Sequence, residues 1–195
     1  MSKKEKLINI FKQFLTKDSK IRREALTFKK KEGKLFEQNL KEIFDRNDIK
    51  YTYQPNGTQQ FPDFILTDFT RKINIECKTS AKGNIVWNSG IAHKDMILLY
   101  ASGHSESNDI TFFLGKELMP NEEPREKIKN WAKIKNKNLG EEFDTTFMGD
   151  ISKNWKFSLR EVYTDKISNF LKNPKRSEWE NEVIDFLSNL EIKNN

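Results

Sequence analysis

The sequence predicts an α/β fold of the α+β kind, with one central mixed five-stranded sheet flanked by helices. Three observations carry that expectation. Apolar residues repeat at helical spacing at both ends of the chain and at strand spacing in the middle. One middle segment, 72–79, alternates strictly, with Ile73, Ile75 and Cys77 on one face and Asn74, Glu76 and Lys78 on the other. Two more, 96–101 and 110–115, are unbroken apolar runs of strand length, as buried strands require. A chain of 195 residues has room for one domain of ordinary size. The expected organisation is a single domain over 1–195. Its core covers about 34–115, preceded by a basic helical arm over 1–33 and followed by a helical addition over 121–195.

The elements follow in order. Leu7, Ile8, Phe11, Phe14 and Leu15 predict an amphipathic helix over 4–16. A basic connector comes next, with Lys20, Arg22, Arg23 and then Lys29, Lys30 and Lys31. Phe36, Leu40, Ile43 and Phe44 mark a second helix over 34–47. Strands are expected at 50–54, 61–67, 72–79, 96–101 and 110–115. Pro124 suits a first helical turn, and Ile128, Trp131, Ala132, Lys135 and Leu139 would share a face behind it. A looser stretch over 140–157 precedes a helical stripe of Leu159, Val162, Tyr163, Ile167, Phe170 and Leu171, stopped by Asn173-Pro174. A last helix would start at Ser177, with Glu180 completing a capping box.

Composition narrows the function classes. Charged residues are 33% of the chain and mean hydropathy is −0.81, but 15 Phe, 4 Trp and 4 Tyr supply the aromatics that disordered chains lack. No run approaches a membrane span, and the N-terminus lacks the apolar core and cleavage site of a signal peptide, so a cytoplasmic protein is expected. One Cys excludes an internal disulfide framework and a Cys-clustered zinc site. The net charge is +6. Residues 1–50 hold 15 Lys and Arg against 8 Asp and Glu, which is +7, and the rest of the chain is −1. Such a basic segment on a neutral body fits a polyanion partner, nucleic acid first, or else a Lys-rich solvated surface.

The informative residues are Phe61-Pro62-Asp63-Phe64 and Ile75-Glu76-Cys77-Lys78. Glu76 and Lys78 are two apart on one strand and project from one face. A turn centred between Phe69 and Thr70 makes paired positions sum to 139, which places Asp63 opposite Glu76, with Cβ atoms roughly 4.5–5.5 Å apart. Two carboxylates that close repel unless something neutralises them. A hard divalent cation such as Mg²⁺ does so while keeping waters and phosphate oxygens in its shell. Metal-bound water is a better nucleophile, and Lys78 can orient it or stabilise developing charge. The alternative is an ordinary salt bridge on a half-exposed strand.

The string FPDFIL…INIECKTS resembles the PD-(D/E)XK nuclease superfamily, and within it the type II restriction endonucleases. Pro62-Asp63 stands for the PD and Glu76-Cys77-Lys78 for the (D/E)XK, over roughly residues 34–115. The resemblance implies a restriction-endonuclease-like core in which Asp63 and Glu76 bind Mg²⁺, with Mn²⁺ able to substitute. It also implies that Lys78 assists the attacking water and that the Cys77 backbone carbonyl joins the metal shell. The helix before the sheet in this superfamily often gives another acid. Glu37 fits by place, although it could equally pair with Lys41 on the helix surface. Trp87-Asn88-Ser89-Gly90 resembles the Trp-Asn loops of type II enzymes, so Asn88 and Ser89 are candidate DNA contacts; the other reading is a turn with Trp87 packed beneath it. Lys29, Lys30 and Lys31, or the row Lys127, Lys129, Lys133 and Lys137, could hold phosphates. On the second of these a solvated helix face is the default. Cys77, on the apolar side, reads as core.

The expectation is thus a Mg²⁺-dependent type II restriction endonuclease that cuts double-stranded DNA at a short specific sequence. A palindromic target favours a two-fold homodimer, and a cognate DNA methyltransferase would protect the host. The competing readings are a Holliday-junction resolvase or repair nuclease of the same superfamily, and a non-catalytic DNA-binding module.

Overall fold

The computed structural model describes residues 1–27, 33–57, 60–80, 85–88, 92–102, 109–147, 162–164 and 169–193. Helix α1 (Lys3–Leu15) opens at a capping box that was not anticipated. Ser2 Oγ accepts the Glu5 N–H at 3.2 Å, and the Glu5 carboxylate accepts the Ser2 N–H at 2.7 Å. Its predicted stripe is real, with Leu7, Ile10, Phe11 and Phe14 buried. Where a connector was expected, Ser19 caps a six-residue helix, α2 (Lys20–Ala25), which buries Ile21 and Ala25. Helix α3 (Gly33–Arg46) buries Phe36, Leu40, Ile43 and Phe44.

Five strands build the expected sheet: β1 (Tyr51–Tyr53), β2 (Phe64–Leu66), β3 (Ile73–Ser80), and, after the short strand β4 (Val86–Asn88), β5 (Ile97–Ser102) and β6 (Ile110–Leu114). Their order is β1-β2-β3-β5-β6, with β3 and β5 parallel and the other neighbours antiparallel. A parallel pair needs a crossover rather than a hairpin, and β4 lies within it. β2 is shorter than expected. Pro62 has no N–H to give, and the Asp63 side chain takes the Cys77 N–H at 2.7 Å in place of a ladder bond.

The two faces of the sheet carry separate cores. One holds Ile73, Ile75, Cys77, Phe64, Leu99 and Phe112 beneath α1, α3 and the last helix, α5 (Arg176–Ser188). Phe11 meets Phe112 edge-on at 4.9 Å there. The other holds Leu98, Tyr100 and Phe113 beneath Ile85, Trp87, Phe170 and Trp179. At the end of β6, Gly115 lies against the backbone of the β3–β5 crossover; a Cβ there would meet the His93 carbonyl oxygen at 1.9 Å.

The C-terminal addition departs from its expected all-helical form. Helix α4 (Glu122–Phe147) runs on through Gly140, so the start of the stretch expected to be loose is helical. Only part of its expected apolar face is buried: Ala132 is enclosed and Ile128 half-buried, whereas Trp131 is 58% exposed and Leu139 is exposed, and Arg125 is buried beside them. The reason lies at the helix start, where Arg125 bonds His93 and pairs with Glu126 at 2.9 Å and so fixes which side faces the body. Val162 and Tyr163, expected on a helix, belong instead to strand β7 (Val162–Thr164), which pairs antiparallel with β4. Phe170–Lys172 is a single 3₁₀ turn, and Leu159 and Ile167 lie outside the described residues. The Ser177–Glu180 capping box does not form. Glu180 is drawn inward, where it accepts from Arg176 Nε at 2.7 Å and Thr111 Oγ1 at 2.8 Å. Asp109 joins the same network through Arg176 and Arg22. Burial works against its ionised form, but the two guanidiniums outweigh that and hold its carboxyl below the usual range.

Five of the 15 Lys and Arg of the basic quarter are thereby paired with acids among the described residues. Arg22 serves Asp109, Lys3 and Lys6 reach Asp48, and Lys20 and Arg46 reach Glu24. No helix among the described residues is long and apolar enough to cross a membrane.

Candidate active site

The register of the β2–β3 hairpin is Phe64↔Ile75, Ile65↔Asn74 and Leu66↔Ile73. All three pairs sum to 139, as the sequence predicts. Asp63 therefore stands one step before the first pair, in the place opposite Glu76. Its Oδ2 accepts the Cys77 N–H at 2.7 Å, which fixes the carboxyl against the end of the hairpin. In a strand the N–H and C=O of one residue leave on the same side, so the Cys77 carbonyl also faces the gap beyond β2.

Glu76 and Lys78 share a face of β3, and Lys78 Nζ donates to Glu76 Oε1 at 2.6 Å. The alternative reading, an ordinary salt bridge, needs that face half-exposed. Instead, Glu76 is only 6% exposed. Leu98, opposite Glu76 across the parallel pairing, and Tyr100, opposite Lys78, belong to the second core, which covers the face. Among the described residues, Glu76 Oε2 is buried and has no hydrogen-bond partner. A buried carboxylate oxygen without a donor is costly unless a proton or a cation meets it.

The electrostatics agree with that geometry. The Asp63 carboxyl is pushed up to about 7, by burial first and then by the negative charges of Glu76 and Glu37; the Cys77 N–H and Lys78 offset only part of this. Burial likewise raises Glu76 against the pull of Lys78, and Glu37 adds to the rise. Two acids held this way favour whatever positive charge can enter between them.

Glu37 is half-buried on α3 and is not paired with Lys41. Its Oε2 accepts from the Tyr53 hydroxyl at 2.7 Å and from Gln54 Nε2 at 3.3 Å. Lys41 Nζ instead lies 4.6 Å from the centre of the Tyr53 ring. Burial raises the Tyr53 phenol and the Glu37 hydrogen bond raises it further, so it stays a donor to that carboxylate. Cys77 is buried in the apolar core, and burial lifts its thiol well above the ordinary value, which makes it a poor nucleophile.

The segment expected to be a loop at 87–90 begins as strand β4, which ends at Asn88, opposite Val162. Trp87 is buried, as the packed reading has it, and Lys78 Nζ lies 5.2 Å from its ring centre. Ser89, Lys29, Lys30 and Lys31 lie outside the described residues. The lysine row on α4 is exposed, with Lys127 paired to Glu123 at 2.6 Å, Lys129 to Glu126 at 3.2 Å and Lys137 to Glu141 at 3.5 Å. Nothing in the sequence pattern marks Tyr53 and Gln54 as partners of Glu37, or Trp87 as a partner of Lys78. Tyr53 and Gln54 left a trace in the sequence only as the end of the strand entering the site.

No group of three or more His, Cys, Asp or Glu side chains close enough to hold a metal occurs among the described residues. The donor set that is present, two carboxylates with a backbone carbonyl beside them, still fits Mg²⁺. That ion commonly takes one or two carboxylates and keeps water for the rest of its shell. The orphaned Glu76 oxygen is the observation that favours such an ion here. Comparisons with protein-family models, with curated proteins and with solved structures find no match for the chain. The chemistry of the cluster is therefore read from its own geometry.

Proposed function

We propose that the chain is a Mg²⁺-dependent endonuclease of the type II restriction kind, which hydrolyses phosphodiester bonds of double-stranded DNA at a short specific sequence. One observation carries this reading: a buried Glu76 oxygen with no partner, placed beside Asp63 and on the face of Lys78. Asp63, Glu76 and the Cys77 carbonyl would hold the ion. When bound, Mg²⁺ supplies a more acidic water and draws negative charge from the phosphate.

The chain's own residues do the rest. The Cys77 N–H keeps the Asp63 carboxylate from turning away. Glu76 anchors Lys78, whose ammonium faces the same space and can donate to the incoming water or to a phosphate oxygen. Glu37, clamped by Tyr53 and Gln54, adds negative field at Asp63 and keeps the pair avid for a cation. A palindromic target would be met by a homodimer with one such site per strand, and a partner methyltransferase would shield the host's own copies of the target.

The test is incubation of the pure protein with plasmid DNA and Mg²⁺ or Mn²⁺. Discrete, reproducible fragments are expected. Asp63→Asn and Glu76→Gln are each expected to slow cleavage by roughly 10²–10⁴-fold while melting as cooperatively as the wild type. Cutting confined to four-way junctions would move the reading to a resolvase. A wild-type protein as inert as Asp63→Asn would end it.

A further inference from the structure

Lys78 has two restraints of different kinds. One is Glu76, whose Oε1 accepts from Nζ at 2.6 Å. The other is the face of Trp87, with the ring centre 5.2 Å from Nζ. The first is compromised by the use proposed for Glu76, because a carboxylate that ligates a cation has less charge to spend on a lysine. The second is free of that conflict, since an indole face attracts an ammonium and binds no Mg²⁺. Burial strengthens it, because a cation–π contact out of water is worth more than an exposed one.

Trp87 is also held rigidly. It sits at the middle of β4, paired with Tyr163 of β7, and packs in the second core with Met96, Leu98, Tyr100 and Phe170. The β4–β7 ribbon thus uses a segment from far along the chain to brace the ring that meets the lysine of the site.

We propose that Trp87 is a positioning residue: its ring holds the Lys78 ammonium over the carboxylates during the reaction, and the β4–β7 ribbon exists to set that ring. This rests on the nuclease reading above. The contact itself can be measured without any activity.

The experiment is a double-mutant cycle of Trp87→Leu and Lys78→Met, read by urea unfolding and by steady-state cleavage of plasmid DNA with Mg²⁺. In unfolding, the pair is expected to couple by about fivefold in the unfolding constant. In cleavage, Trp87→Leu is expected to lower kcat about tenfold with KM nearly unchanged, Trp87→Phe to restore most of that loss, and Trp87→Leu to cost nothing further in Lys78→Met. If Trp87→Leu does not fold, uniform 5-fluorotryptophan labelling takes its place. It weakens the ring's negative face at almost constant bulk, and is expected to lower kcat in the wild type but not in Trp87→Phe.

Absence of coupling in unfolding overturns the proposal and leaves the nuclease reading intact. Coupling with an unchanged kcat also overturns it, since the pair is then merely structural. A wild-type protein that cleaves no DNA ends the nuclease reading and the positioning role together, even where coupling is found.

Discussion

Glu76 and Cys77 are adjacent on β3 and almost equally buried, at 6% and 7% exposure, yet they face opposite sides of the sheet and meet opposite fates. Cys77 lies among Ile73, Ile75 and the helices, where burial is favourable and its thiol simply stays protonated. Glu76 lies under an equally tight roof, but with one oxygen unsatisfied and Asp63 beside it. The same degree of burial stabilises one face and costs free energy on the other. A cost of that kind persists where a ligand or a reaction recovers it.

The largest expected effect is on the apolar face. Ile75→Ala should lose ~2–5 kcal/mol in urea unfolding, and any loss of cleavage should track the unfolded fraction. A smaller loss would mean that this face is not the one that holds the fold together.

The next effect belongs to Asp63. Burial and the neighbouring acids push its carboxyl up to about 7 in the folded chain, against an ordinary value of 3.8. Between those two pH values the folded protein keeps a proton that the unfolded chain has released. Stability should therefore fall as pH rises from about 4 to about 7 and level off above, by at most ~4 kcal/mol. Mg²⁺ competes with that proton, so it should raise the melting temperature clearly at pH 8 and little at pH 5. An equal rise at both would separate the ion from these carboxylates.

A still smaller change is expected for Glu76→Gln. Deleting a buried charge whose partner Lys78 can still reach water should change stability by no more than ~1 kcal/mol, in contrast to Ile75→Ala one residue away. A loss as large as that of Ile75→Ala would make Glu76 structural and erase the contrast. Least of all, the Cys77 thiol should resist alkylation in the native protein and react at once in urea.

The hairpin was legible because its information is local. Strict alternation over 72–79 and a short turn specify a register, and the register places Asp63 opposite Glu76. The stripes of α1 and α3 were legible for the same reason. The β4–β7 ribbon was not: three residues at 86–88 find partners at 162–164, and Val162 and Tyr163 happen to stand at helical spacing with Leu159 and Phe170. The burial of Glu76 was hidden too. Alternation shows which side of a strand is polar, whereas the roof over that side comes from Ile85, Trp87, Phe170 and Trp179 on other elements. What the charges of the basic quarter meet was hidden as well, because charge counting cannot see that Arg22 ends on Asp109 and Arg46 on Glu24.

The packing of α1 against α5 has a consequence for how the protein is made. Leu7, Ile10, Phe11 and Phe14 share one core with Val183 and Leu187, and Lys4 Nζ donates to the Ser188 carbonyl at 3.1 Å. The apolar face of α1, partly covered by α2 and β6, is thus closed completely only once synthesis has passed Arg176. Contacts so distant in sequence slow folding and leave sticky surface exposed meanwhile. The same delay applies to β4, which waits for β7. A nascent chain can close the Asp63–Glu76 hairpin early, but the tryptophan over Lys78 is anchored only after Val162–Thr164 has been made.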